Sequence, residues 1–252
     1  MNYKLTIQYD GSRYDGWQRQ GNTDNTIQGK IEGVLSRLTG ESVEIHGAGR
    51  TDAGVHAEGQ VASVKLPGKA APSEIMDYLN QYLPEDIAVI EAEEADERFH
   101  ARLNAVGKVY RYNIRLGVTP NVFRRKFQYR VGEELDIVAM KRAAEYLIGT
   151  HDYRAFCSNK RYKKSTVRTV SAIDIAVDGA DMSITFQGNG FLYNMVRILT
   201  GTLLEVGQGV RRPEEICEIL ESMNRARAGK TAPAQGLTVV RVIYEGKEDN
   251  FE

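Results

Sequence analysis

Apolar positions along this chain fall into short alternating runs and longer runs of helical period, and the two kinds follow one another in a repeated order. "YKLTIQY" (Tyr3 to Tyr9) alternates as a strand, and Asp10-Gly11 closes it with a turn signal. In "TIQGKIEGVLSRLTG" the residues Ile27, Ile31, Val34, Leu35 and Leu38 share one face of a helix, with Gly40 as its stop. "SVEIH" and "QVASVKL" read as strands on either side of a glycine-rich segment. "SEIMDYLNQYL" reads as a helix capped by Ser73 and ended before Pro84, and "IAVIEAEEA" as a strand. The second half repeats the order. "GKVYRYNIRL" is a strand, and "DIVAMKRAAEYLIG" a helix with Asp136 as cap and Gly149 as stop. "VRTVSAIDIAV" and "DMSITFQG" pair across Asp178-Gly179, a hairpin signal. "FLYNMVRILTGTLLEV" is a long apolar helix, "PEEICEILESM" a shorter one opened by Pro213, and "LTVVRVIYE" a closing strand.

Each half is therefore β-α-β-β-α-β, the split βαβ arrangement. The pattern predicts an α+β fold of two ferredoxin-like halves, residues 1–105 and 106–252. Side by side, their sheets would form one extended, mainly antiparallel sheet, with helices on one face and the other face open to a ligand.

Composition adds limits. With 252 residues, 42% hydrophobic and 27% charged, the chain can bury a real core. No apolar run approaches the roughly 20 residues that span a bilayer, and the first residues read as a strand, not as a secretory signal. Cys157 and Cys217 form neither a disulfide framework nor a zinc spacing, which places the chain in a reducing cytoplasm.

The net charge of −1 conceals a segregation of sign. Arg98 to Arg130 holds nine Lys and Arg and no acid, and Arg154 to Arg168 holds six more, again with no acid. A polyanion responds to local potential, so basic stretches interleaved with Tyr and Phe suit a nucleic acid, although either stretch alone is equally a solvated face.

The stretch "HGAGRTDAGVHAEGQ" (His46 to Gln60) surrounds Arg50-Thr51-Asp52 with four glycines and three alanines. It lacks the third glycine of a dinucleotide fingerprint, joins two strands instead of opening a helix, and is followed by no Gly-Lys-Ser/Thr. The chain has no Asp-Thr-Gly or Asp-Ser-Gly of an aspartic protease, and His46, His56, His100 and His151 show no metal-ligand spacing. What remains is a loop whose small residues let a flat group approach Asp52, beside an arginine that favours the ionised carboxylate. On residue chemistry alone, an Arg50–Asp52 pair pinning a long turn stays open as the alternative.

"GAGRTDAGVHA" closely resembles the catalytic loop of the tRNA pseudouridine synthase A family. Further blocks of that family are matched by "YDGSRYDGWQRQ" with "TIQGKIE", "FHAR" with "GKVYRYNI", "GTHDYRAFC" with "VRTV", "GNGFLYNMVRILTGTLLEVG" and "TAPAQGLTVVRVIY". They lie in family order from residue 9 to residue 244. The segment "SNKRYKKSTVRT" departs in being strongly basic, and is assigned to a substrate-contacting or mobile loop.

The resemblance implies a pseudouridine synthase fold. It further implies isomerisation of uridine to pseudouridine at positions 38 to 40 in the anticodon stem-loop of tRNA, with no cofactor and no metal. It makes Asp52 the catalytic carboxylate and Tyr110 the active-site tyrosine that stacks on the uracil. It gives Arg50 a place in the gap left by a flipped base or on a phosphate, Leu237 an apolar wall beside the base, and Lys108 a phosphate contact. Arg197 stands out on its own, as the only basic residue in the apolar stretch Phe191 to Val206. A buried guanidinium needs a carboxylate, expected to be Asp52, unless it snorkels to solvent. Trp17 and Gln18 belong to a matched block but receive no chemical step. The family also implies a cytoplasmic homodimer with one tRNA across both subunits. Two rivals remain on the residues alone: a non-catalytic RNA-binding protein, and a carboxylate-dependent RNA glycosidase or nuclease.

Overall fold

The alternation of the first strand decides what the first core contains. In β1 (Asn2–Tyr9), Tyr3, Leu5, Ile7 and Tyr9 form a buried apolar row, while Asn2, Lys4, Thr6 and Gln8 point the other way. The computed structural model describes residues 1–159 and 164–245, so part of the basic segment beginning at Ser158 lies outside the described residues. Two compact units result: one joins Met1–Val106 to the chain from Thr238 onward, and the other is Gly107–Leu237.

The first unit follows the predicted order. β1 leads to α1 (Ile27–Thr39), β2 (Ile45–Gly47), β3 (His56–Lys65), α2 (Pro72–Tyr82) and β4 (Ile87–Ala95). The strands lie in the order β4-β1-β3, with β2 on β3, and these pairs are antiparallel, from Asn2↔Lys65 in one ladder to Ile45↔Val64 in another. That is the ladder a split βαβ unit makes. Thr26 caps α1 by accepting the Gly29 N–H at 3.2 Å, and Gly40 ends it with φ +73°. The cap predicted for α2 is corrected. The helix begins one residue earlier, with Pro72 at its first position and Ala71 before it, and the Glu74 carboxylate accepts the Ala71 N–H at 3.1 Å. Proline's fixed φ favours that position over Ser73.

The polar row of β1 is not left open in this unit. Asn2 donates to the carbonyls of Asp96 and Phe99 at 2.7 and 2.9 Å, and Ala101 N–H reaches Ser63 Oγ at 3.1 Å. This draws residues 96–101 across the sheet. Ala48, Val61 and Ala101 form a small second cluster there, with Phe99, Val242 and Tyr244 packed on it.

The second unit contains β5 (Ala105–Leu116), β6 (Tyr129–Val131), α3 (Ile137–Glu145), β7 (Gly149–Asp152), β8 (Val167–Asp178), β9 (Asp181–Gly188), α4 (Met195–Gly207) and α5 (Glu215–Ser222). Its strands run β5-β9-β8-β7, antiparallel throughout, with β6 parallel to β5. The hairpin turns at Gly179, φ +58°, as its sequence requires. β6 and β7 are too short to leave a readable alternation. Two helix boundaries differ from expectation. Asp136 caps α3, but the helix ends at Glu145, and Gly149, with φ +121°, opens β7 instead. Asn194 sits in the left-handed region at φ 60°, so Phe191 to Tyr193 stay outside α4.

α4 is buried on nearly every side. Residues 229–232 lie along it: Gly229 N–H reaches Thr202 Oγ1 at 2.9 Å, and Ala232 N–H reaches the Arg197 carbonyl at 3.0 Å. A Cβ at Gly201 would overlap the Lys230 carbonyl. The closing strand, β10 (Leu237–Tyr244), was assigned by the repeat to the second half. From Thr238 it belongs to the first unit, running parallel to β3 at Thr238↔His56 and Val239↔Ala57. Among the described residues, no helix is long and apolar enough to cross a membrane.

The glycines of two helices give a paired test. Gly201→Ala forces helix and loop apart and is expected to cost about 1–3 kcal/mol, which at this chain length lowers Tm by roughly 2–4 °C per kcal/mol. Gly33, exposed in α1, would place its Cβ in open space, so Gly33→Ala is expected to gain about 0.5–1 kcal/mol. Differential scanning calorimetry should rank G33A above wild type and G201A below it; a G201A protein melting with wild type would contradict the close approach.

Candidate active site

Between β2 and β3 the chain makes a turn whose backbone is held at several residues. Ala48 N–H reaches the Val61 carbonyl at 2.7 Å, Gln60 Nε2 donates to the Gly49 carbonyl at 3.0 Å, and Val55 N–H returns to the Asp52 carbonyl at 3.2 Å. The segment following β1 grips it from the side. Trp17 N–H donates to the Thr51 carbonyl at 3.1 Å, and the Tyr9 and Thr51 hydroxyls share a buried hydrogen bond at 2.9 Å.

Glycine is what allows two stretches of backbone to come this close. Gly16 has φ +97°, and a Cβ there would lie 2.6 Å from the Thr51 carbonyl oxygen. Gly47 rests on the Trp17 indole, which would meet a Cβ at 2.5 Å. Gly16 and Gly47 therefore let the loop and the segment after β1 approach each other closely. The outcome is a graded presentation: Thr51 is buried, Asp52 half-buried and Arg50 exposed.

Behind the turn lies a polar cluster that sequence reading did not single out. Arg50 Nε donates to Gln18 Oε1 at 3.1 Å, and Gln18 Nε2 to Gln28 Oε1 at 2.7 Å. Gln28 Nε2 donates to Glu32 Oε1 at 2.8 Å. Gln28 and Glu32 are each 4% exposed, one turn apart on α1. Two polar residues at i and i+4 beside Ile27 and Ile31 on a buried helix face were the available signal. Trp17 and Gln18 thus gain structural places: one under the turn, the other on Arg50.

The second unit carries the other sequence-selected residues. Tyr110 on β5 is 9% exposed, stands opposite Phe186 on β9 and meets Phe191 edge-on, with ring centres 5.1 Å apart. Lys108, half-buried, lies opposite Gly188. Arg197, half-buried on α4, donates from Nε to the Ala232 carbonyl at 2.8 Å and from Nη1 to Asn194 Oδ1 at 2.9 Å, so it does not simply snorkel to water. The first of those bonds holds Ala232, and the Tyr112 hydroxyl donates to the next carbonyl, that of Pro233, at 2.7 Å. Burial pushes the Tyr112 hydroxyl pKa well up, against a smaller opposing effect of the Arg197 charge, so it stays a neutral donor. Leu237, directly after this stretch, is buried.

The histidines have local partners. His56 Nδ1 accepts the Gly11 N–H at 3.0 Å, and His151 Nε2 lies 3.1 Å from the Ile148 carbonyl. His46 stacks on His100 with centres 5.1 Å apart, on the wall of a cavity of about 580 Å³ that Asp52 does not line. Among the described residues, no group of three or more His, Cys, Asp or Glu could hold a metal ion.

The first unit thus holds Asp52 half-buried on a turn gripped through Gly16 and Gly47. The sequence profile described as tRNA pseudouridine synthase matches residues 5–104 and 143–245. A tRNA pseudouridine synthase A 2 of Bacillus cereus is 48% identical over 243 residues, covering 96% of this chain and 99% of the relative. The tRNA pseudouridine synthase A of Bacillus sp. (strain KSM-64) is 50% identical over 243 residues, with the same coverage of both chains. That of Acetivibrio thermocellus is 48% identical over 246 residues, again covering 96% and 99%. The chain belongs to the tRNA pseudouridine synthase A family, isomerases acting on uridines of tRNA. Among solved structures, a Cbf5-Nop10-Gar1 complex has a TM-score of 0.41 at 14% identity, covering 94% of this chain and 48% of that one, a likeness too loose to carry an argument.

The grip on the turn is itself testable. Gly16→Ala is expected to displace the Thr51–Asp52 backbone and lower pseudouridine formation on the order of a hundredfold, as roughly 1 Å of misplacement does. Circular dichroism should remain that of the wild type. Full activity in this variant would show that the turn does not depend on the close approach.

Proposed function

We propose that this chain isomerises uridine to pseudouridine at positions 38 to 40 of the anticodon stem-loop, with Asp52 as the essential carboxylate. In this reading residues 1–105 supply the aspartate loop and residues 106–252 the remaining groups of the cleft. The observation that carries it is the held turn: buried Thr51 and the Trp17 contact leave Asp52 half-buried at its head, in a member of this family.

The reaction cleaves N1–C1′, turns the detached uracil and forms C5–C1′; C5 loses a proton and N1 gains one, so no atom is gained or lost overall. That balance requires no cofactor. Attack at C1′, attack at C6 and removal of the C2′ proton all need an ionised carboxylate, and each first requires the nucleotide to leave the stack at a cost of a few kcal/mol. Tyr110 offers a ring for stacking and a hydroxyl for proton transfer at C5. Arg197 is the cation we assign to that carboxylate. Arg50 occupies the gap or anchors a phosphate, Lys108 contacts phosphate, and Leu237 keeps water from the broken glycosidic bond. The working form is a cytoplasmic homodimer with one tRNA across both subunits.

Tritium release from tRNA labelled at uridine C5 tests the assignment. Wild type should release tritium without strand cleavage or free uracil, and Asp52→Ala should release none while still binding tRNA in a filter assay. An active Asp52→Ala protein would remove the assignment. Affinity should also fall as salt rises, since phosphate contacts release counterions; affinity independent of salt would contradict a basic docking surface.

A further inference from the structure

We infer that Gln18 is a positioning residue for Arg50, and that Gln28 and Glu32 on α1 fix which end of its amide faces the arginine. The inference rests on the reading in which Arg50 meets the tRNA.

The argument begins at Gln28. An amide side chain can often be turned end for end with little penalty. Gln28 cannot, because a neighbour on each side of its amide has a single hydrogen-bonding role. Arg19 N–H, which only donates, lies 2.9 Å from Gln28 Oε1. The Ile45 carbonyl, which only accepts, lies 3.2 Å from Gln28 Nε2. Glu32 Oε1 also accepts from that amide nitrogen, and is itself held by the Ile45 N–H at 3.0 Å, while Arg19 Nη1 lies 3.3 Å from Glu32 Oε2. Turning Gln28 over would set donor against donor and acceptor against acceptor on both sides.

The fixed orientation is passed outward. Gln28 Oε1 also takes a bond from Gln18 Nε2 at 2.7 Å, so Gln18 must turn its NH₂ inward and its oxygen outward. That oxygen receives Arg50 Nε–H at 3.1 Å. A guanidinium has only donors, so the reverse orientation of Gln18 would oppose it. Holding Nε leaves the Nη pair for the forked contact that arginine makes with phosphate. Gln28 and Glu32 are buried, so water cannot readily replace the lost partner in the chain. The matched block "GWQRQ" with "TIQGKIE" thereby gains a role: one aims the arginine, and the other sets the sense of the aim.

The test is a double-mutant cycle on single-turnover isomerisation of tRNA by the full chain, with Gln18→Met and Arg50→Ala. Each single variant is expected to slow the step between roughly ten- and a hundredfold, as loss of a hydrogen bond to a charged group does. The double variant should be no slower than the slower single. Gln28→Met should match Gln18→Met. Gln18 is half-buried, so its variant keeps the test available even where substituting Gln28 harms folding. Effects that multiply in the double variant would overturn the inference, because a merely structural Gln18 acts equally with or without Arg50. A fast Gln18→Met beside a slow Arg50→Ala would overturn it while leaving the role of Arg50 intact. A fast Arg50→Ala would remove both together, and would stay distinct from failure of the catalytic assignment, which Asp52→Ala reports separately.

Discussion

A single backbone hydrogen bond, Trp17 N–H to the Thr51 carbonyl at 3.1 Å, is the constraint around which the Asp52 turn is arranged. It forms only if two irregular stretches of chain come within backbone contact, and such contact excludes side chains. Gly16 supplies the bend and the clearance on one side, and Gly47 supplies a flat seat for the indole on the other. Trp17, 1% exposed, then fills the space beneath the turn. Thr51 is held by its carbonyl and its hydroxyl, and Asp52 follows a neighbour bonded at both.

The order of elements in the first unit was legible because alternation and helical period are local properties, carried here by rows such as Tyr3-Leu5-Ile7 and Ile27-Ile31-Leu35. Boundaries were less so. Asn194 enters the left-handed region that asparagine tolerates, and the apolar residues on either side of it masked that signal for the start of the helix. Pro72 outweighs Ser73 as a helix start because it has a fixed φ, where serine offers only a hydrogen bond. At the site, the Asp52 loop could be found from its composition, whereas the Gln18–Gln28–Glu32 chain is long-range and polar and leaves only a faint trace on the α1 face. Sequence shows that something approaches the glycines of this loop, but not that at Gly47 the visitor is the protein's own Trp17.

Polar atoms in both units aim cations. In the first, an amide holds Arg50 by Nε; in the second, the Ala232 carbonyl holds Arg197 by Nε, and Asn194 takes Nη1. Guanidinium groups lose much rotamer freedom when they act, and gripping the Nε edge removes part of that loss in advance. The residue types that do so, Gln18 and Asn194, are neutral. They orient a guanidinium without themselves adding an opposing charge.

β10 gives the chain an unusual assembly order. Its residues Thr238 and Val239 complete the β3 edge at His56 and Ala57, beside the turn that ends at Val55. A ribosome makes His56 well before Thr238, so the His56–Ala57 end of nascent β3 waits for its β10 partner while the whole of Gly107–Leu237 is synthesised. A product cut short before residue 238 therefore lacks the β10 pairing beside the Asp52 turn, and that open end is a feature for chaperones and proteases to recognise.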